Sequence, residues 1–542
     1  MSRPSNRWNW ELPSSEPNDP AWFRPGTSHW PRQPGRPASA PPRNGRSTPP
    51  DSDFRRTVAY TVAGTALPGL GLIAAKRRVA GSIILGLFLA VVSTLAVWAA
   101  LDLQGLVSVA VRPAVLRTLT VALILVALFW VAVVVTSHLS LRTRPTQGQR
   151  ITGGVLVGAL AFAVTAPMAV ASRYSYDQAN LVTNVFGSEK DTKSATRPTL
   201  GPGGPNQADQ PQDPWAAKPR LNILMLGGDA GPTRTGTRTD TVILASIDTK
   251  TGNTTLFSLP RNTGRMPFPA DSRLRKYYPK GFTSGDGNNP EYFLNAMYEN
   301  VPANVPKDVL GPTDDLGADA LKLSVGQALG LPVDYYVLIN LRGFTKLINA
   351  LGGVTLNINT YIPIGGNTDL GIPPEDYLKP GPDQHLDGRG ALWYARGRYG
   401  SNDYARMERQ RCVINAIIKQ ANPTTMLTRY EDIAKAGKDI VRTDIPREVL
   451  PIMIDLSWRV KNGKVRSIVF KHGEGGFISP RPDFDLMQRR VKAALDETES
   501  SASPSSPSPS NSKASKSKTE SEDVNKSCAY NAKMAAEAQR PR

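Results

Sequence analysis

Hydrophobic positions along this chain fall into two regimes. From about residue 57 to 172 they form long unbroken runs; from about 219 to 497 they form short strand-like runs that alternate with helical stripes. In the first regime, Val79 to Leu101 carries no charged residue, and a span needs only about 20 apolar residues to cross a hydrocarbon core. Spans are therefore predicted at about 79–101, at 115–136, where Arg117 interrupts early, and at 151–171. Val58 to Ala75 is broken by Pro68 and several glycines and reads as a re-entrant or interfacial segment. In the second regime, LNILML, TVILASI and TTLFSL read as strands, with DTKTGN as a hairpin loop. DALKLSVGQALG is helical and stops at Gly330 with Pro332 just beyond. The strand YYVLINL, a helix around GFTKLINALGG and the strand VTLNI follow, with later helices at about 403–421, 448–460 and 485–497. This alternation predicts an α/β fold, a central mixed β-sheet sandwiched by helices, preceded by three transmembrane helices.

Charge orients the spans. Lys76, Arg77 and Arg78 precede the first, and Arg142, Arg144 and Arg150 separate the second from the third. The positive-inside rule then puts the N-terminus in the cytoplasm and everything after about Ser172 outside, a multi-pass protein of the cell membrane. Residues 1–56 and the Ser/Pro/Lys-rich tail 498–542 read as disordered, 57–172 as the membrane region, 173–218 as a polar extracytoplasmic linker and 219–497 as the folded domain. Cys412 and Cys528 both fall in the exported part, where a disulfide is permitted; the place of Cys412 inside an apolar helix leaves a plain buried thiol equally open.

Lys and Arg total 65 against 46 Asp and Glu, a formal charge of +19. Such a balance suits a polyanion: nucleic acid, anionic lipid or phosphorylated glycan. There is no GxxxxGK[ST] loop, HExxH or CxxC pair and there are only four histidines, so triphosphatase, zinc hydrolase and zinc-finger chemistry lose support.

Candidate chemistry gathers at strand ends. Asp229 follows the first strand and Asp240 precedes the second. If the strands are neighbours, the two carboxylates share one sheet end and suit Mg²⁺; capping a turn is the other reading of each. Arg234 and Arg238 lie in the intervening loop and Arg261 ends the third strand. The stretch YARGRYGSNDYARMERQR, Tyr394 to Arg411, is dense in arginine without a single lysine. Gly397 and Gly400 predict an extended segment that turns Arg396 and Arg398 to one side. Asp403 is predicted as the N-cap of a helix carrying Arg406, Arg409, Gln410 and Val413 on one face. Arginine forks match phosphate oxygens bidentately, which makes this a candidate pyrophosphate clamp; an exposed helix face with Glu408 pairing to Arg409 or Arg411 is the alternative.

The blocks NILMLGGDAG, RTDTVILASIDTKTGNTTLFSLPRN, DYYVLINLRGFTKLINALGGVTLNI and HLDGRGALWYARGRYGSNDYARMERQR resemble, in order and spacing, those of the LytR-CpsA-Psr family, over about Leu221 to Ala421. The resemblance implies an extracytoplasmic phosphotransferase that moves a glycopolymer from a polyprenyl-pyrophosphate carrier to peptidoglycan or a similar wall acceptor, with no nucleic-acid partner. It further implies Mg²⁺ on Asp229 and Asp240, pyrophosphate on Arg238, Arg261, Arg396 and Arg398, and a site completed by Asp403, Arg406, Arg409 and Gln410. Phe344, Leu347, Ile348 and Leu351 would line the pocket for the membrane lipid's prenyl chain. Asn262, Asn340 and Asn349 stand where the family often has Asp, and Gly228 where it often has Ser, so no base or metal-ligand role is assigned to Asn262. Hydrolysis of the lipid-linked donor, or a non-catalytic lipid-glycan binder, are the competing functions.

Overall fold

The computed structural model describes residues 50–143, 145–198, 215, 218–228, 237–285, 289–367, 370–420, 441–500 and 521–540. Six helices come first: α1 (Pro50–Ala66), α2 (Leu70–Ala74), α3 (Arg78–Leu101), α4 (Leu103–Val109), α5 (Pro113–Leu141) and α6 (Gln147–Val185). α3, α5 and α6 are long and apolar enough to cross a membrane. The stretch Val58 to Ala75 is a broken helix pair: Pro68 and Gly69, at φ 103°, separate α1 from α2. Thr61 Oγ1 lies 3.1 Å from His138 Nδ1, and the Trp130 indole donates to Thr65 O at 3.1 Å, so α1 packs on α5.

α6 does not stop where its apolar run does. A capping box of Thr146 and Gln149 opens it and it continues to Val185. Phe186 then packs against the cluster of Trp215, Leu221, Tyr335 and Leu456. Where the sequence predicts a linker, residues 188–197 are hydrogen-bonded into the domain. Asp319, nearly fully buried, accepts from Ser194 Oγ (2.7 Å), Ala195 N (2.9 Å), Thr196 Oγ1 (2.5 Å) and Thr313 Oγ1 (2.6 Å). Asp444 accepts from Ser194 Oγ at 3.2 Å and pairs with the fully buried Lys322 at 2.5 Å. Buried carboxylates demand donors, and the Ser/Thr composition that reads as a linker supplies them.

The domain is built on a seven-stranded sheet in the order β11-β10-β3-β2-β1-β4-β9. Its strands are β1 (Arg220–Gly228), β2 (Thr239–Asp248), β3 (Thr254–Leu259), β4 (Tyr335–Asn340), β9 (Val441–Thr443), β10 (Val465–Val469) and β11 (Glu522–Asp523). β1 to β3 run antiparallel, while β1 with β4 and β3 with β10 are parallel, so the sheet is mixed. Period-two alternation sends Leu224 and Leu226 to one face, where α7 (Met297–Asn304), α8 (Leu316–Leu329) and a late helix, Phe484–Ser500, cover them. Leu221 and Ile223 border the opposite face. A smaller apolar core of Ile348, Val354, Leu386, Tyr394 and Val413 lies under α9 (Leu341–Leu351), β5 (Val354–Ile358), β8 (Gly381–Leu386), α10 (Gly388–Arg396) and α11 (Asp403–Gln420). The hairpin of β6 (Ile362–Ile364) and β7 (Asp376–Leu378) flanks it. α12 (Leu450–Asn462) covers the β1 and β2 face and packs against α4 of the membrane region; the Phe484–Ser500 helix is α13.

The end of the chain differs from the expected tail. Residues 521–540 return to the domain: Glu522 and Asp523 pair with β10 as the edge strand β11, and Val524 is fully buried. Cys528 closes a disulfide to Cys412 on α11. Residues 501–520 lie outside the described part.

Candidate active site

The site forms at the end of the sheet where β1 finishes, β2 begins and β3 finishes. Asp240 owes its direction to a β-bulge: Gly228 pairs with Thr239 and Gly227 with Thr241, so Asp240 is the extra residue that the ladder skips. Bulges re-aim side chains in this way. Asp240 Oδ1 accepts from Arg261 Nη1 and from Asn295 Nδ2, each at 3.2 Å. Burial works to raise the Asp240 pKa, but the Arg261 and Arg406 guanidiniums and the Asn295 hydrogen bond outweigh it, and the carboxyl sits below its ordinary range. Asn295 is brought there by backbone bonds, Asn295 N to Arg261 O and Leu294 N to Thr263 O. No sequence signal marks Asn295 as part of the site.

Asp403 is the second centre. Sequence reasoning makes it an N-cap, yet Asn402 caps α11, its Oδ1 accepting from Ala405 N at 2.9 Å. Asp403 is the first helical residue, and its carboxylate is released to face three guanidiniums: Arg406 at 3.0 Å, Arg261 at 3.6 Å and Arg398 at 4.0 Å. Arg406 is buried and donates to Asp240 O at 2.9 Å as well as to Asp403 Oδ2 at 3.1 Å. Burial pulls its pKa down, and the two carboxylates work against that pull. Asn295 Oδ1 is buried here without a hydrogen-bond donor, whereas Asp403 Oδ1, also buried, is ion-paired to the Arg406 guanidinium at 3.0 Å.

Other predicted residues take different places. Arg238 is drawn to Glu291, which also accepts from Asn300. Arg396 is not in an extended segment: α10 runs through it, and its guanidinium stacks on Trp393 at 5.1 Å. The helix survives to Arg396 because Gly397 serves as its C-cap. Arg409 donates to Tyr394 O at 2.7 Å and to Gly397 O, and Gln410 to Ala395 O at 3.3 Å, so both hold the backbone of the arginine-bearing turn. Burial lowers the Arg409 pKa to about 10. Glu408 pairs with Lys471 at 2.8 Å rather than with a neighbouring arginine. Asn340 caps α9 and Asn349 accepts from Gly388 N at 2.7 Å, which gives each a structural task. Asp229 and Arg234 lie outside the described residues, and among the described residues no group of three or more His, Cys, Asp or Glu side chains gathers to hold a metal.

Of the predicted lipid-pocket residues, Ile348 is fully buried in the smaller core and Phe344 packs against it. Leu351 borders a cavity of about 190 Å³ with Val354, His385 and Ile417. A second apolar groove, about 300 Å³, is lined by Leu221, Ile223, Ile247, Ile417, Met453 and Trp458 between the sheet, α11 and α12. Its residues come from four separate elements, so no local pattern announces it.

The LytR_cpsA_psr family model matches residues 181–472, more than half of the chain. The chain belongs to the LytR-CpsA-Psr family. The start of the match at 181 takes in the strap at 188–197. Among relatives, the polyisoprenyl-teichoic acid–peptidoglycan teichoic acid transferase TagU of Enterococcus faecalis is 29% identical over 256 residues, covering 46% of this chain and 69% of the relative. TagU of Oceanobacillus iheyensis is 26% identical over 298 residues, covering 54% of this chain and 80% of the relative. The crystal structure of TagV from Bacillus subtilis is 24% identical and covers 52% of this chain and 97% of its own, with a TM-score of 0.35.

Proposed function

We propose that this LytR-CpsA-Psr protein is an extracytoplasmic phosphotransferase that moves a glycopolymer from a polyprenyl-pyrophosphate carrier to peptidoglycan or another wall glycan. The observation that carries this reading is the constellation of Asp240, Arg261, Arg398, Asp403 and Arg406 at one end of the sheet. Fixed guanidiniums at a sheet end suit the charge that develops on a pyrophosphate in transfer. Relatives named as teichoic acid transferases support the reaction class.

In the proposed reaction an acceptor hydroxyl oxygen forms a bond to the phosphorus nearer the sugar, and the bridging P–O bond breaks. Polyprenyl phosphate leaves and a phosphodiester joins glycan to acceptor. Asp403 accepts the hydroxyl proton. A loose phosphoryl transition state asks little of a base. Arg261 and Arg398 hold the pyrophosphate, and Arg406 fixes the Asp403 carboxylate and the Asp240 backbone. Arg409 and Gln410 position the turn that bears Arg396 and Arg398.

The oxygens of Asp240 and Asn295 are hard donors, Asn295 Oδ1 being buried without a hydrogen-bond partner, and their chemistry fits Mg²⁺. Asp240, with Asp229, would hold the ion, which when bound neutralises phosphate charge. The apolar groove suits the prenyl chain: it lies about 17 Å from Arg406 along α11, at 1.5 Å per residue to Ile417. Basic flanks of the spans and the Cys412–Cys528 disulfide favour an extracytoplasmic domain.

The test incubates the full chain in detergent with a synthetic polyprenyl-pyrophosphate glycan, Mg²⁺ and a wall oligosaccharide, with products read by mass spectrometry. A glycan-phosphate-acceptor adduct that disappears in Arg261→Ala and Asp403→Asn is expected. Free sugar phosphate without adduct would replace transfer by hydrolysis, and tight donor binding without product would leave a binder.

A further inference from the structure

A second polar cavity lies beyond Arg261, away from the carboxylates. It measures about 340 Å³ and is lined by Arg265, Phe268, Arg275, Tyr278, Lys280 and Arg481, with Phe484 and prolines completing the wall. That volume is within the range of about 300–1,000 Å³ for small-molecule sites. Cationic and aromatic side chains interleave here, and among the described residues no acidic side chain lines the space.

Three further observations single it out. Arg265 has φ +54°, in the left-handed region that non-glycine residues rarely adopt, and its Nε is buried without a hydrogen-bond partner. Gly281 and Gly264 allow the backbone to close around it: a Cβ on Gly281 would come within 2.4 Å of Arg265 O, and one on Gly264 within 2.7 Å of Pro480 O. Tyr278 is 8% exposed and its hydroxyl, too, is buried with no partner. Burial pushes that hydroxyl up to about 12, so it remains a proton donor at any ordinary pH. A strained arginine and a dry phenol that share one cavity cost free energy unless something in the cavity bonds them.

Four residues separate Arg265 from Arg261, so the two Cα atoms stand no more than about 14 Å apart. The cavity is therefore next to the transfer site, joined to it by the short turn that follows β3. Guanidinium and ammonium groups select carboxylate or phosphate, and the cavity's aromatic wall of Phe268, Tyr278 and Phe484 offers apolar surface to the C–H face of a sugar. We propose that this cavity is a subsite for an anionic sugar unit of a glycan whose reacting end lies at the arginine and carboxylate cluster. The inference rests on the transferase reading for its placement, while the subsite itself can be detected without turnover. Donor glycan and wall acceptor can each present such a sugar.

The test measures direct binding of three probes to the full chain in detergent: a muramyl-peptide tetrasaccharide, the polyprenyl-pyrophosphate-linked anionic glycan, and neutral chitotetraose. The variants are Arg265→Gly, which keeps the left-handed backbone and removes the guanidinium, and the double variant Lys280→Gln with Arg481→Gln. Both are expected to bind one anionic probe at least ten-fold more weakly. The probe affected identifies the source, and chitotetraose binding is expected to be unaffected. Arg265→Gly is expected to melt no lower than the wild type, because glycine relieves the strain. In turnover, KM for the affected substrate rises while kcat holds. Unchanged affinity for both anionic probes in both variants would overturn the subsite and leave the transferase reading standing; so would an equal loss for the neutral probe. Weakened binding in a chain that never forms an adduct would uphold the subsite and remove the transferase.

Discussion

Arg406 is where stability and function meet, and Arg406→Ala is the most informative single substitution. The side chain is 5% exposed and bonds Asp403 and the Asp240 backbone. Breaking a buried pair by removing one partner costs about 3–5 kcal/mol. Here the orphaned carboxylates are 26% exposed at Asp403 and 22% at Asp240, and Arg261 still serves both, so about 2–3 kcal/mol is the appropriate figure. At about 2–4 °C per kcal/mol, the melting transition falls by about 5–10 °C. Losing the fixed guanidinium also loosens the carboxylates that flank the pyrophosphate site. The loss of one charge-assisted contact, about 1.5–3 kcal/mol, weakens polyprenyl-pyrophosphate binding by about ten- to a hundred-fold. Differential scanning fluorimetry and titration with farnesyl pyrophosphate in detergent read the two effects separately. A variant that melts within 1 °C of the wild type (about the precision of the method) and binds the pyrophosphate equally well would refute the reasoning.

Acid titration tests Asp240. Its folded pKa lies below the ordinary carboxyl value, so its stabilisation is present above about pH 4 and is lost as pH falls through the folded value; the stability gap between wild type and Asp240→Asn, followed by urea melts, is expected to be constant above about pH 5 and to close in stronger acid. The disulfide joins residues 116 apart, and Cys528→Ser is expected to cost about 2–5 kcal/mol in reversible unfolding. EDTA is expected to abolish transfer and added Mg²⁺ to restore it; transfer that persists in EDTA would take the metal out of the reaction. Asp319→Ala, which removes the acceptor of Ala195 N and Thr196 Oγ1 and one of the two acceptors of Ser194, is expected to expose the strap at 188–197 to limited proteolysis.

What the sequence discloses here is local. The spans appear because apolar length is a local property, and the strands β1 to β3 because alternation is. The arginine concentration is visible as a local excess of one residue type, and Arg261, Arg398 and Arg406 do gather round Asp403, with Arg261 also pairing Asp240. Partners from afar decided the rest. Arg238 sits two positions from Asp240 but answers to Glu291. Asp403 escapes its capping task because Asn402, an equally good cap, stands one residue earlier. Asn295 enters the site through backbone bonds that no motif encodes. The strap and the terminal segment carry the polar residues of a solvated linker, and their docking follows from partners on other elements.

The placement of β11 has a bearing on how the molecule is made. Ser467 of β10 pairs with Leu256 of β3 on one side and with Glu522 of β11 on the other, and Arg411, on the helix that bears the site, bonds both Ser467 and Glu522. Without this strand β10 presents an open edge, which invites pairing between molecules. Fragments that end near Glu497 would keep that edge and lose both the brace on α11 and the disulfide to Cys412.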